Sequence, residues 1–244
     1  MPRTPTPQGT GTGRRPDVVI LDLDDTLFDH GTSARRGALR FLRAIGLPST
    51  RELAELWEST AAEAADPRFA GAPGRTAYRR SRVVRLLREA GHVAAAEISA
   101  DPQAVDQFYD LYLRAYETEW VPFPDAIPAL RRLRGSGYRL AVLTNGPERR
   151  QRRKLRTIGA EPLVEALFTS EGIGGRKPDP RTYRAACRGL GVRPEQALHV
   201  GDDVELDLQG ALRAGLPAIH LDRTGAPARR ADVAGDLLEL ATTL

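Results

Sequence analysis

Apolar and polar positions follow two rhythms along this chain. Val18-Val19-Ile20-Leu21 is an unbroken apolar run rich in β-branched residues, the pattern of a strand buried on both faces inside a parallel sheet. From Ser33 to about Trp120 no strand pattern follows, and apolar residues recur at helical spacing instead. Ala34, Ala38, Phe41, Leu42 and Ile45 predict a helix over Ser33 to Ile45, closed by Gly46 and Pro48. A second helix is expected to open at Ser49, with Glu52 completing a capping box, and to carry Leu53, Leu56 and Trp57. Asp66 to Gly74, with Pro67, Gly71 and Pro73, reads as a loop. Thr76 to Ala90 reads as a third helix through Val83, Val84, Leu86 and Leu87, and Asp101-Pro102 begins a fourth that runs to about Glu119.

After Pro122 and Pro124 the rhythm changes to strand and helix in alternation. Helices are predicted at Ile127 to Leu133, Arg181 to Gly189 and Leu206 to Ala214, and strands at Tyr138 to Leu143, Leu167 to Thr169, Ala197 to Val200 and Pro217 to Leu221. Asp222 to Asp232 reads as a loop and Val233 to Leu240 as a closing helix. This order predicts an α/β fold, a Rossmann-like doubly wound parallel sheet with an α-helical bundle inserted after its first strand. The expected organisation is a disordered tail at 1–16, an α/β core from 17–30 and 121–244, and a helical insert at 31–120.

Composition narrows this picture modestly. The 244 residues are 41% hydrophobic and 28% charged, ordinary for a globular chain able to bury a core. No apolar run approaches the ~20 residues of a membrane span, and Met1 to Pro16 lacks the apolar centre of a secretory signal, so no membrane association is expected. The single cysteine, Cys187, excludes an internal disulfide, and the cytoplasm is the expected compartment. The 36 basic residues nearly balance the 32 acidic ones, and only Lys154 and Lys177 among them are lysine. In a chain that otherwise uses arginine, a lysine points to a site needing a compact charge with rotatable donors.

The candidate chemistry stands at strand ends. The first apolar run leads into Asp22-Leu23-Asp24-Asp25-Thr26, where alternation puts Asp22 and Asp24 on one side and Leu23 on the other. Carboxylates at the carboxyl end of a buried strand need a cation, and a divalent metal is the natural one; an acidic turn facing water is the plainer reading. Thr144-Asn145-Gly146 ends another strand before a helix, either as a capping turn or as an anion site suited to phosphate. Lys177, in Gly174-Gly175-Arg176-Lys177-Pro178-Asp179-Pro180, is either a solvated lysine or an ammonium that neutralises charge between a carboxylate and a phosphoryl group. Gly201-Asp202-Asp203, with Asp207 beyond, brings acid to a further strand end, where one of the pair can cap the following helix while the other faces Asp22 and Asp24 across an oxygen site suited to Mg²⁺.

Asp22-Leu23-Asp24-Asp25-Thr26, Thr144-Asn145, Lys177 and Gly201-Asp202 with Asp207, in this order, resemble the four motifs of the haloacid dehalogenase superfamily. The resemblance spans roughly Val18 to Leu221, and the helical insert resembles the cap that one branch carries between the first and second motifs. It implies a Mg²⁺-dependent phosphatase acting on a small phosphorylated metabolite. In that scheme Asp22 is the nucleophile that becomes an aspartyl-phosphate, and Asp24 is the general acid and base. Thr144, Asn145 and Gly146 bind the phosphoryl group with Lys177, which also positions Asp22. Asp22, Asp202 and the Asp24 carbonyl hold the metal, with Asp203 and Asp207 standing behind them. Thr144-Asn145-Gly146 with Gln151 and Lys154-Leu155, and Leu198-His199-Val200-Gly201-Asp202-Asp203, resemble the N-acylneuraminate-9-phosphate phosphatase, pyrimidine 5'-nucleotidase and flavin mononucleotide phosphatase branches. Nucleotides, sugar phosphates and flavin mononucleotide are the implied substrate classes, and the expected state is a monomer or homodimer. Dehalogenases of this fold lack the second aspartate, so Asp24 disfavours that chemistry. A phosphomutase would keep every motif. A nucleic-acid binder using Arg79-Arg80, Arg149-Arg150 and Arg152-Arg153 is disfavoured by the balanced charge, and no nucleic-acid partner is expected. Arg75, Tyr78 and Arg79 of the insert are candidates for contact with substrate.

Overall fold

The structure, a computed structural model, describes residues 15–60, 71–224 and 232–244. The expected disordered tail therefore lies outside the described residues up to position 14. Two compact units are present, Met1–Asp29 with Pro122–Leu244, and His30–Val121. No helix among the described residues is long and apolar enough to cross a membrane.

The first strand, β1 (Val18–Leu21), is fully buried along its length. The chain then enters the second unit, made of α1 (His30–Ala44), α2 (Arg51–Ser59), α3 (Gly71–Glu89), α4 (Ala95–Ala100) and α5 (Pro102–Thr118). Its core is aromatic: Trp57 packs on Tyr112 at 4.2 Å between ring centroids, and Tyr112 stacks on Tyr116 at 5.9 Å. Gly37 lets α1 approach α5, because a Cβ there would lie 2.6 Å from the Tyr116 Cα.

Three expectations for this unit need correction. Thr50, not Ser49, caps α2, its hydroxyl accepting from the Leu53 N–H at 3.4 Å. The loop expected over Asp66 to Gly74 lies outside the described residues at 66–70, and at Gly71 the chain is already helical. Pro73 falls within the first turn, where its missing N–H has no partner to lose, so it is compatible with the helix. The short α4, buried through Ala95 and Ile98, is additional. Of the candidate substrate contacts, Tyr78 donates its hydroxyl to the Thr60 carbonyl at 3.0 Å and Arg79 lies 5.7 Å from the Tyr109 ring centroid.

Back in the first unit come α6 (Ala126–Gly135), β2 (Arg139–Thr144), α7 (Glu148–Thr157), β3 (Ala166–Thr169), α8 (Ser170–Ile173), α9 (Pro180–Leu190), β4 (Ala197–Gly201), a π-helical turn at Val204–Gln209 leading into α10 (Gly210–Ala214), β5 (Ala218–Leu221), β6 (Val233–Ala234) and α11 (Leu237–Thr243). The strands form one parallel sheet in the order β3-β2-β1-β4-β5-β6. The chain leaves β1 toward β2 on one side and returns on the other as β4, so the order reverses at β1. Open α/β sheets bind ligands outside the strand carboxyl ends at such a switch point. Val18 and Ile20 pack with Tyr183, Ala186, Cys187, Leu208 and Ala211, which closes one face of the sheet.

Two further expectations change here. Val233 and Ala234 pair with His220 and Leu221 as an edge strand, and the closing helix begins only after Asp236, which caps it through the Glu239 N–H at 2.6 Å. The helix expected from Leu206 starts at Val204 and opens with a wide turn, in which the Leu208 N–H reaches back to the Asp203 carbonyl at 3.3 Å. Such widened turns recur where a helix must aim a functional side chain.

Candidate active site

Asp22 follows β1 and is still tied to the sheet, its N–H donating to the Val200 carbonyl of β4 at 2.8 Å. That bond aims the carboxylate out of the carboxyl end of the sheet beside the β4 exit. Lys177 Nζ donates to Asp22 Oδ1 at 2.5 Å and to Asp207 Oδ1 at 2.6 Å. Behind Asp207 stands His199, wholly buried on β4, with Nε2 2.9 Å from the same Oδ1. The second Asp207 oxygen accepts from the Asp203 N–H at 3.2 Å. Gly201 makes room for this group, since a Cβ at that position would run into the Asp207 carboxylate.

A buried ammonium is thus held between two buried carboxylates. Burial alone would lower the Lys177 pKa, but Asp22 and Asp207 outweigh it and keep the lysine charged. Asp207, although burial opposes it, is held well below the usual carboxylate range by the His199 hydrogen bond and the Lys177 charge. Burial pushes Asp22 well up, with the charges of Asp207 and Asp24 adding to it and Lys177 opposing. Asp202, just past β4, is raised to about 6 by burial and then by Asp207 and Asp25. Thr26 Oγ1 donates to its Oδ1 at 3.3 Å. Burial also lowers His199, favouring the neutral ring, whose Nε2–H donates a hydrogen bond to the Asp207 carboxylate.

Asp24 faces different partners. Its Oδ1 pairs with Lys154 of α7, and its Oδ2 accepts from Gln151 Nε2 at 3.0 Å. Gln151 Nε2 also reaches Thr144 Oγ1, at 2.7 Å. The Thr144 hydroxyl is therefore an acceptor toward the protein, which leaves its own proton for an anion. Asn145 clips Lys177 in place. Its Nδ2 donates to the Lys177 carbonyl at 3.0 Å and its Oδ1 accepts the Lys177 N–H at 2.8 Å. The Gly146 N–H, a candidate phosphate donor, is given instead to Ser170 Oγ at 3.0 Å. Asp203 caps the π-helical turn, accepting from the Glu205 and Leu206 N–H groups at 2.8 Å each.

The structure thus gathers Asp22, Asp24, Thr144, Asn145, Lys177, Asp202, Asp203 and Asp207 around one cleft of about 230 Å³. Sequence reasoning missed the tether from Asn145 to the Lys177 backbone, the hold of Gln151 and Lys154 on Asp24, and the His199 support of Asp207. His199 did carry a signal, a polar ring within the apolar run Ala197-Leu198-His199-Val200.

One oxygen each of Asp22, Asp202 and Asp207 lies within 4.8 Å of the others. Lys177 bonds Asp22 and Asp207, and one ammonium against three carboxylates leaves excess negative charge, so a hard divalent cation fits this donor set. Both Asp207 oxygens are already bonded to protein groups, so Asp22 and Asp202 are the carboxylates suited to hold it. The Asp24 carboxylate, expected from sequence at the metal, is turned instead to Lys154 and Gln151.

Residues 16–215 match the haloacid dehalogenase-like hydrolase family. The chain is 33% identical over 225 residues to the glyceraldehyde 3-phosphate phosphatase of Methanopyrus kandleri, which covers 84% of each chain. It is 34% identical over 139 residues to the phosphoserine phosphatase of Thermus thermophilus, covering 57% of this chain and 54% of that one. Among solved structures, the magnesium-bound HAD-hydrolase YfnB from Bacillus subtilis superposes with a TM-score of 0.74 at 20% identity, covering 94% of this chain and 98% of that one, a likeness of fold.

Proposed function

The chain belongs to the haloacid dehalogenase-like hydrolases, and from that premise we propose that it is a Mg²⁺-dependent phosphatase that hydrolyses small phosphate monoesters through a phosphorylated Asp22. The observation that carries this reading is the buried Asp22–Lys177–Asp207 chain at the sheet's switch point, with Asp24 and Asp202 on the same cleft.

Asp22 supplies an oxygen that attacks phosphorus, and the bond from phosphorus to the ester oxygen breaks. Lys177 holds the attacking carboxylate by its other face and offsets charge that would repel an incoming anion. Asp207 and Asn145 fix Lys177, one through its ammonium and the other through its backbone. The Thr144 hydroxyl and the remaining Asn145 Nδ2 hydrogen, both on side chains that line the cleft, bind phosphoryl oxygens. Asp24 gives a proton to the departing oxygen, then takes one from the water that attacks the phosphorylated Asp22, so that inorganic phosphate leaves and both aspartates are restored. Asp22, Asp202 and the Asp24 carbonyl would hold a Mg²⁺, which when bound would neutralise phosphoryl charge.

The substrates for which the two phosphatase relatives are named, glyceraldehyde 3-phosphate and phosphoserine, support small phosphorylated metabolites as the substrate class. Asp24 argues against dehalogenation, in which the halide leaves without a proton. Several arginines that could mark a nucleic-acid surface are engaged with acids, Arg80 with Asp106 at 2.6 Å and Arg152 with Glu148 at 2.8 Å. The test is phosphate release from triose phosphates, phosphoserine, nucleotides, sugar phosphates and flavin mononucleotide, with Mg²⁺ and with EDTA. Hydrolysis of at least one ester, lost in EDTA and in Asp22→Asn with an unchanged circular dichroism spectrum, is expected. Turnover retained by Asp22→Asn would exclude it as nucleophile, and transfer of phosphate to a second sugar without net release would make the protein a mutase.

A further inference from the structure

The chain has only two lysines, and each is buried against one of the two alternating aspartates that follow β1. Lys177 meets Asp22, which the mechanism uses. Lys154 meets Asp24, and nothing in the mechanism so far requires it. Lys154 lies on α7 among Arg149, Arg150, Arg152, Arg153 and Arg156, so this helix reaches for lysine at one position only. That position is 4% exposed, with Nζ 4.6 Å from the centroid of the Phe28 ring. A compact ammonium fits between the ring and one carboxylate oxygen, where a planar guanidinium needs room for its fork.

Gln151 lies three residues earlier on the same face of α7. Together the two side chains take the Asp24 carboxylate by separate oxygens, Lys154 at Oδ1 and Gln151 at Oδ2. The Asp24 side chain is 35% exposed and lines the cleft, so the held group still faces it. Gln151 also ties this hold to Thr144, the side chain placed for the phosphoryl group. The acid and the phosphoryl site are thereby fixed to one rigid helix. Proton transfer is steep in distance and angle, so a carboxylate free to rotate loses most of its use as an acid.

We propose that Lys154 and Gln151 are positioning residues that hold the Asp24 carboxylate at the point of proton transfer, so that losing them slows esters with poor leaving groups far more than esters with good ones. The inference rests on the reading of Asp24 as the acid and base. It deepens that reading by naming what keeps Asp24 in place.

The experiment compares kcat/KM for an alkyl phosphate and for p-nitrophenyl phosphate, whose phenolate departs without a proton, in Mg²⁺. Asp24→Asn is the reference and should lose far more on the alkyl ester. Lys154→Met is expected to fall about 100-fold on the alkyl ester and less than about 5-fold on the nitrophenyl ester. Gln151→Met should shift the same ratio in the same direction. Lys154→Cys is then alkylated with 2-bromoethylamine, which rebuilds the ammonium on a thioether. Because position 154 is nearly as buried as Cys187, the alkylation is carried out in urea on a Cys187→Ala background and complete modification is confirmed by mass before refolding. Recovery of alkyl-ester activity by about 10-fold or more supports positioning through charge. An equal fall on both esters, or no recovery after aminoethylation, makes Lys154 a packing residue and overturns the inference while leaving the phosphatase reading intact. A wild-type protein that splits neither ester, or an Asp24→Asn variant with no leaving-group preference, overturns both together.

Discussion

Replacing Asp202 with Asn should stabilise the metal-free protein while removing its response to Mg²⁺. Burial, then the charges of Asp207 and Asp25, move the Asp202 carboxyl from the ordinary 3.8 to about 6. The folded chain therefore holds this proton more tightly than the unfolded one. Its contribution to stability is full below about 3.8 and is lost as pH rises through about 6. By pH 8 the ionised carboxylate costs the metal-free fold about 3 kcal/mol, from roughly two pH units at about 1.4 kcal/mol each, and at pH 5 about half of that. Asparagine has nearly the same shape, cannot ionise, and keeps an Oδ1 that can accept the Thr26 hydroxyl. With EDTA present, urea unfolding should show Asp202→Asn more stable than the parent by about 1–3 kcal/mol at pH 8 and by less at pH 5, the range allowing for water reaching a site that is not fully enclosed. A chain of this size gains about 2–4 °C in Tm per kcal/mol. Adding Mg²⁺ should close or reverse this gap, because only the parent has both carboxylates to bind it; at a hundred times Kd that linkage is worth about 2.7 kcal/mol. A variant less stable than the parent in EDTA at pH 8, or equal Mg²⁺ stabilisation of both proteins, would refute the account of these acids as a cation site.

Gly201→Ala puts a methyl where the Asp207 carboxylate lies, so Asp207 must swing away from Lys177. Activity should fall steeply, with about 1–3 kcal/mol lost in urea unfolding, and a variant of wild-type stability and kcat would contradict the packing described. Asn145→Ala removes both hydrogen bonds to the Lys177 backbone. It should cost about 1–3 kcal/mol and lower kcat more than it raises KM, and an effect on KM alone, with stability unchanged, would refute the tether.

The parallel sheet was legible because its strands write themselves as apolar runs. β1 has four residues buried on both faces, and no other element tolerates that composition next to three acids. The errors fell where local pattern is weak. β6 is two residues long at a sheet edge, too short to show any period, and it is set by pairing with β5. The choice between Ser49 and Thr50 as cap, and the wide turn at Val204–Gln209, depend on a single backbone step that either residue type permits.

The site divides along the same line. Residues at strand carboxyl ends could be gathered from sequence, because a parallel sheet brings its strand ends to one edge whatever the intervening chain does. Which donor meets which acid could not. Gln151 and Lys154 stand 127 and 130 positions from Asp24, and Asn145 stands 32 from Lys177, so those pairings are made by how α7 and the Lys177 loop pack. Composition nonetheless left a trace of them. A chain that writes nearly every cation as arginine keeps lysine at two buried positions, and the structure gives each an aspartate of the first motif. A planar guanidinium serves at the surface, where any nearby acid is an adequate partner. A buried slot closed on one side by an aromatic ring and on the other by a single carboxylate oxygen selects the smaller head, so a residue's rarity in this chain reports the shape of the place it occupies.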